Sequence, residues 1–378
     1  MKNLTRILPL ALLLSTVACN KQNTHTTVSA DPIAATADDV IKPAVITDTV
    51  RHDTDDPAIW VNAANPSESL IIGTDKNEDG ALYVFDLQGK IIEDKVVRGL
   101  KRPNNVDVAY GFMLNGQPTD IAVVTERMTH NLRIYTLPDM KPIDNGGIPM
   151  YEGETAAEYR DLMGIAMYTN PKTGDIYAIA GRKTGPTDGT YLWQYLLQDN
   201  GKGGVKATVV RKFGNYSGIK EIEAIAVDNE LGYIYYSDEG TGVRKYFADP
   251  AKGNEELALF ATTGFGKDHE GISVYKINDG TGYILVSDQA NNRFHVFPRE
   301  GSAGNPHQHD LLKIVNVSTL DSDGSDVTST SMGGKFKNGL FVAMSSDKTF
   351  QYYRWEDIAG KDLKVAPNGD ASSMAKSK

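Results

Sequence analysis

At 378 residues the chain is long enough for two ordinary domains or for one large all-β architecture. Its 40% hydrophobic and 23% charged residues exclude a disordered polymer and fit a folded globular protein. A net charge of −10 argues against a nucleic-acid surface or an anionic membrane face as the main partner, so an anionic substrate would need bound metal to attract it.

In chain order, Lys2 and Arg6 precede a short apolar core, Ile7 to Val17, which reads as an export signal. The core falls short of the roughly 20 residues of a membrane span. It ends in Thr16-Val17-Ala18-Cys19, which resembles a bacterial lipobox with Cys19, the only cysteine, as the lipidated first mature residue. An ordinary signal peptide cut nearby is the other reading. Either way the mature chain is expected to be exported, to meet a membrane only through its N-terminal anchor, and to fold without disulfides. Residues 20–43 are polar and Thr-rich and read as a flexible tether.

The stretch Asp53-Thr-Asp-Asp-Pro-Ala-Ile-Trp60 places three carboxylates within four residues. Proline cannot donate to a strand ladder, so the acids are expected on a loop, with the strand beginning after Pro57. Such crowding repels itself without a cation, and oxygen ligands suit a hard ion such as Ca²⁺; a solvated acidic turn is the alternative. Short β-branched and aromatic runs follow, among them Ser69–Gly73, Ala81–Phe85, Asp120–Val124, Leu132–Tyr135, Asp175–Ile179, Gly232–Tyr236, Gly282–Val286, Phe294–Phe297 and Gly339–Ala343. Turn signals such as Leu87-Gln-Gly-Lys90 and Lys172-Thr-Gly-Asp175 separate them, and no long helical period appears.

Gly232-Tyr-Ile-Tyr-Tyr-Ser-Asp238 recurs as Gly282-Tyr-Ile-Leu-Val-Ser-Asp288, with looser copies at Gly174–Ala180 and Asn338–Ser346. A period of about fifty residues fits four-stranded propeller blades. The expectation is an all-β, six-bladed β-propeller of four-stranded antiparallel blades over residues 44–362, monomeric, with a disordered tail over 363–378. In such a ring, acids at equivalent strand ends gather at one rim of the central channel. Candidates are Asp53, Asp55, Asp56, Asp107, Glu221, Glu223, Asp238, Glu239, Asp268, Glu270, Asp288 and the run Asp321-Ser-Asp323-Gly-Ser-Asp326. That run lacks the twelfth-position Glu of an EF-hand. Basic residues nearby are Lys76, Arg102, Arg127, Arg182, Lys183 and Arg244. The chain has no Gly-x-Ser-x-Gly elbow, no His-Glu-x-x-His and no P-loop, so acyl-enzyme, zincin and nucleotide-binding mechanisms lack support.

Asp55-Asp-Pro-Ala-Ile-Trp60, Lys76, Asn104-Asn-Val-Asp107, Glu223, Asp268-His-Glu-Gly271, Gln289-Ala-Asn-Asn292, Asp321–Asp326 and Trp355-Glu-Asp-Ile-Ala359 together resemble the β-propeller phytases over about residues 45–362. The resemblance implies a calcium-dependent phosphomonoester hydrolase that acts on phytate, or another small anionic phosphate ester, through metal-activated water. It makes Asp55, Glu223, Asp268, Glu270 and Gln289 ligands of several active-site Ca²⁺ ions, with Asp238 or Glu239 beside them. Asp56 and Asp321 become ligands of a structural calcium. Lys76, Arg127 and Arg182 (or Lys183) become the phosphate clamps, with Asn105 and Asp107 as further substrate contacts. Departures stand at Asn77, Ala109, Met163 and Ala224, and at His52 before Asp53; they are expected to weaken a second phosphate-holding subsite. A non-catalytic calcium-stabilised propeller and a calcium-dependent lactonase-type hydrolase are the alternatives.

Overall fold

The computed structural model describes residues 39–367 and Met1. The export signal, Cys19, most of the expected tether and the end of the tail lie outside the described residues. Among the described residues, six four-stranded antiparallel sheets form the blades of a propeller, as the fifty-residue recurrence predicts. The innermost strands of blades 1 to 6 are Thr54–Trp60, Pro103–Leu114, Leu162–Thr169, Ile225–Asp228, His269–Asn278 and Ser325–Thr328. Each pairs with a second strand: Leu70–Asp75, Gln117–Glu126, Ile176–Arg182, Tyr233–Asp238, Thr281–Asp288 and Leu340–Ser345. The recurring sequence element is this second strand in blades 3 to 6.

Second strands are apolar on both faces because each blade is packed on both sides. Ile121 and Val123 face blade 3, whereas Ala122 and Val124 face blade 1. One apolar cluster fills every interface between neighbouring blades, including that between blades 6 and 1. The ring closes through the N-terminal strand Val45–Ile46, which becomes the outermost strand of blade 6 by pairing with Thr349–Arg354. The only α-helix among the described residues, Trp355–Ala359, packs Trp355 on Tyr275 at a ring distance of 3.6 Å.

Both ends of the expected domain move outward. Ile41 bridges Val317, and its N–H donates to Asn316 O at 2.9 Å, so the last residues of the expected tether are paired. Leu363 and Ala366 are buried in the blade 5–6 cluster, so the expected tail begins as docked chain. Pro57 also departs from expectation, since Asp55, Asp56 and Pro57 all lie within the innermost strand of blade 1. That strand is an edge whose free side faces the channel. A bulge between Thr54 and Pro57 further relieves the ladder, so a missing N–H is tolerated.

Candidate active site

The same bulge recurs and sets a common register at the channel mouth. Thr54 and Pro57 oppose Asp75 and Gly73 in blade 1, and Pro103 and Val106 oppose Glu126 and Val124 in blade 2. Leu162 and Ile165 oppose Arg182 and Ala180 in blade 3, and His269 and Ile272 oppose Asp288 and Val286 in blade 5. Ile225 opposite Tyr236 and Ser325 opposite Ala343 place blades 4 and 6 on the same scheme. The residue inside the bulge is therefore, around the ring, Asp55, Asn104, Met163, Glu223, Glu270 and Asp323. The residue that ends the second strand is Asp75, Glu126, Arg182, Asp238, Asp288 and Ser345. The residue just past that end is Lys76, Arg127, Lys183, Glu239, Gln289 and Ser346.

These three rows do different jobs. Strand-ending side chains pin the loop that enters their own blade. Asp75 accepts from the N–H groups of His52 and Asp53 at 3.0 and 2.7 Å, and Glu126 from Lys101 N at 2.8 Å. Asp238 accepts from Ser217 N at 2.9 Å, Asp288 from Gly266 N at 2.8 Å, and Ser345 Oγ from Leu320 N at 3.1 Å. Two expected site residues belong to this row and are corrected accordingly. Asp238 is buried against Ser217 and the Arg244 guanidinium (2.8 Å) and belongs to neither carboxylate group at the mouth, which leaves Glu239 as the blade 4 acid there. Arg182 is fully enclosed: it donates to Tyr159 O, Thr190 O and Tyr191 O, pairs with Glu154 at 2.9 Å, and lies 4.3 Å from the Tyr151 ring. Arg182→Gln is thus expected to cost about 3 kcal/mol of stability in urea unfolding while KM of the folded enzyme stays unchanged. Normal stability with a raised KM would return Arg182 to the substrate.

The bulge row and the row past the strand end converge at the mouth. Lys76 Nζ contacts Asp55 Oδ1, lies 3.4 Å from Asp323 Oδ2 and reaches Glu223 Oε1 at 4.0 Å, with its side chain 15% exposed. Asn104 Nδ2 donates to Asp55 Oδ2 at 3.2 Å and to Glu223 Oε1 at 3.4 Å. Gln289 Nε2 donates to Asp323 Oδ1. Carboxylate oxygens of Glu221, Glu223 and Glu239 lie within 4.8 Å of one another, as do those of Glu239, Asp268 and Glu270. Arg127 sits within electrostatic reach of Glu223 and Asp55, with Nε donating to Leu162 O at 3.1 Å and Nη2 against Met163 Sδ. Lys183, exposed, pairs with Glu221 at 2.8 Å.

Close approach of the innermost strands makes this convergence possible. A Cβ on Gly164 would overlap Glu223 O, and one on Gly324 would come within 2.6 Å of Asp55 O. Only glycine lets blades 3 and 6 approach their neighbours this closely.

Burial dominates the electrostatics. It pushes Asp55 up to about 7 against the pull of Lys76, and Glu223 up to about 7 with repulsion from Asp55 adding to it. Burial, then Glu221, lifts Glu239 to about 9; burial, then Glu223, lifts Glu270 well above the usual carboxylate range. Asp323 rises to about 6 through burial, against Lys76. Burial opposes the Lys76 ammonium, but Asp55, Glu223 and Asp323 outweigh it and hold its pKa above that of a free lysine. The donor set is all oxygen, and Glu239 Oε1 and Glu270 Oε2 are buried with no hydrogen-bond partner. Such atoms fit a hard divalent cation.

The remaining expected residues lie elsewhere. Asp56 accepts from Val106 N at 3.0 Å and lines the channel, and Asp107 accepts from Val108 N and Met167 N at 2.6 and 2.7 Å. Asn105 also lines the channel. Asp107 is therefore a stitch to blade 3 and no substrate contact at the mouth. Asp321 is exposed on the rim, where Ser346 Oγ donates to it at 3.4 Å, and belongs to neither carboxylate group. Asp323 and Glu221 stand among the candidate acids at strand ends, but the family resemblance assigns neither of them a role. Of the departures, Ala109 is buried in the blade 2–3 core, away from the mouth, whereas Met163 is the apolar member of the bulge row and lies against Arg127.

A cavity of about 540 Å³ adjoins the cluster, lined by Glu158, Asp161, Lys183, Thr184, Lys220, Glu221 and Glu239. The sequence profile of the family described as Phytase matches residues 10–364. The chain is also 31% identical over 323 residues to the 3-phytase of Bacillus subtilis (strain 168), covering 81% of this chain and 80% of that protein.

Proposed function

Since this chain belongs to the phytase family, we propose that it is a phosphoric monoester hydrolase that releases phosphate from phytate, of 3-phytase type, with Ca²⁺ as its metal. The observation that carries the reading is the meeting of Asp55, Glu223, Glu239, Asp268, Glu270 and Asp323 with Lys76 at the channel mouth. The carboxylates, with Gln289 Oε1, would hold the ions. Bound there, Ca²⁺ supplies the positive charge that draws a polyanionic ester to an acidic chain and favours attack by water at phosphorus.

The side chains of the chain itself divide the rest. Lys76, fixed among three carboxylates, is aimed by them and donates to a phosphoryl oxygen as negative charge shifts toward the leaving group. Arg127 is steadied by Leu162 O and supplies a second, planar donor. Lys183, free to leave Glu221, faces the adjoining cavity, where the rest of the substrate has room. No serine, cysteine or histidine stands among these groups, so direct water attack is preferred over a covalent phospho-enzyme. Export, with attachment at Cys19, belongs to the same reading.

Phosphate release from phytate before and after exhaustive EDTA treatment tests the metal. Activity is expected to fall by at least a hundredfold and to return with added Ca²⁺. Full activity in stripped enzyme would overturn the calcium dependence.

A further inference from the structure

We propose that Lys220 is a tethered counter-ion that a metal must displace from the carboxylates of blades 4 and 5, so that the chain sets its own threshold for metal loading. This rests on the reading of that cluster as a cation site. Lys220 stands in the loop entering blade 4, outside the three rows of the register. Its Nζ contacts Asp268 Oδ1 and lies 3.9 Å from Glu239 Oε2. Those two residues, with Glu270, form the triad whose oxygens lie within 4.8 Å of one another. An ammonium and a divalent ion there compete for the same negative charge, and both cannot keep contact with Asp268.

The geometry lets the lysine yield without unfolding anything. Its backbone is anchored, because the Tyr216 hydroxyl donates to Lys220 O and Asp238 holds Ser217. The side chain, by contrast, is 46% exposed and borders the 540 Å³ cavity, so rotation about its own bonds carries the ammonium clear. Lys76 differs: it is nearly enclosed and faces three carboxylates, so it stays when metal arrives. An exposed lysine–aspartate pair is ordinarily worth little, but here it adjoins a triad of which two members, Glu239 and Glu270, are buried away from screening water.

The test is calorimetric titration of the chelator-stripped full chain with CaCl₂ alone, no substrate present. Lys220→Gln is expected to tighten Ca²⁺ binding by on the order of tenfold. Lys220→Arg keeps the competing charge and should stay within about twofold of wild type, as should Lys267→Gln on the adjoining exposed loop. Amine labelling read by mass spectrometry gives a second measure, since Lys220 should become more reactive as Ca²⁺ saturates while Lys267 does not. Unchanged or weaker binding in Lys220→Gln, or no rise in Lys220 labelling, overturns the proposal and leaves the metal site standing. A wild-type chain that takes up no Ca²⁺ at all overturns both.

Discussion

Lys76→Ala is expected to lower kcat on phytate by roughly a thousandfold in a chain that still folds and still binds Ca²⁺. The reason is the double part Lys76 plays. In the metal-free protein it neutralises Asp55, Asp323 and Glu223, and in the reaction it faces the phosphoryl oxygens. Removing a competing cation leaves metal affinity equal or higher, whereas the developing negative charge loses its donor. Asp55→Ala should behave differently and lose both activity and calcium, because it removes a buried ligand and the group that aims Lys76 and Asn104. Calorimetry with Ca²⁺ beside steady-state kinetics separates the two variants. A Lys76→Ala enzyme within threefold of wild-type kcat would remove Lys76 from the chemistry.

That distinction depends on the register, which the sequence shows only in part. The four copies of the second strand were readable because both its faces are apolar and its ends carry Gly and Ser-Asp. Those copies gave the blade period and the six-bladed ring. Their Ser-Asp exit points to Asp238, which ends its strand and faces the entering loop, as Arg182 does in blade 3. Of the alternatives the resemblance leaves open, Glu239 and Lys183 stand one residue further on, where the alternation of the strand turns side chains toward the mouth. Asp323 was hidden for a related reason. Within Asp321-Ser-Asp323-Gly-Ser-Asp326 three acids look alike, and only the register that puts Asp323 at the place of Asp55 and Glu270 separates the one at the mouth from a rim residue and a channel stitch. The innermost strands could not reveal that bulge, because a single extra residue leaves no mark in composition. Glu221 and Lys220 obey no repeat at all and are placed only by the fold.

Removing calcium should make the folded protein less stable as pH rises, the reverse of the usual behaviour of paired carboxylates. Asp55, Glu223 and Glu239 hold their protons to about 7, 7 and 9 in the metal-free fold, whereas ordinary values are 3.8 for Asp and 4.5 for Glu. Between roughly pH 4 and pH 9 the folded chain therefore binds more protons than the unfolded one, and stability falls with pH by about 1.4 kcal/mol per unit for each extra proton. Buried histidines oppose this only below their free value of 6.5: His309, pushed down to about 4 by burial, gains stability as pH rises to that point. From pH 6.5 to 8.5 the fall comes from Glu239 and Glu270, with the last part of the Asp55 and Glu223 titrations, and Lys245, whose pKa burial lowers to about 8, opposes it only toward the upper end. Saturating Ca²⁺ holds the carboxylates of the cluster ionised and removes their share of the slope, leaving that of Asp56 and Asp326 in the channel, so the gap between calcium-loaded and EDTA-treated melting temperatures should widen across this window. A stripped chain that melts higher at pH 8.5 than at pH 6.5 would mean that these acids are already ionised without metal, and the cluster would then need no cation to hold it together.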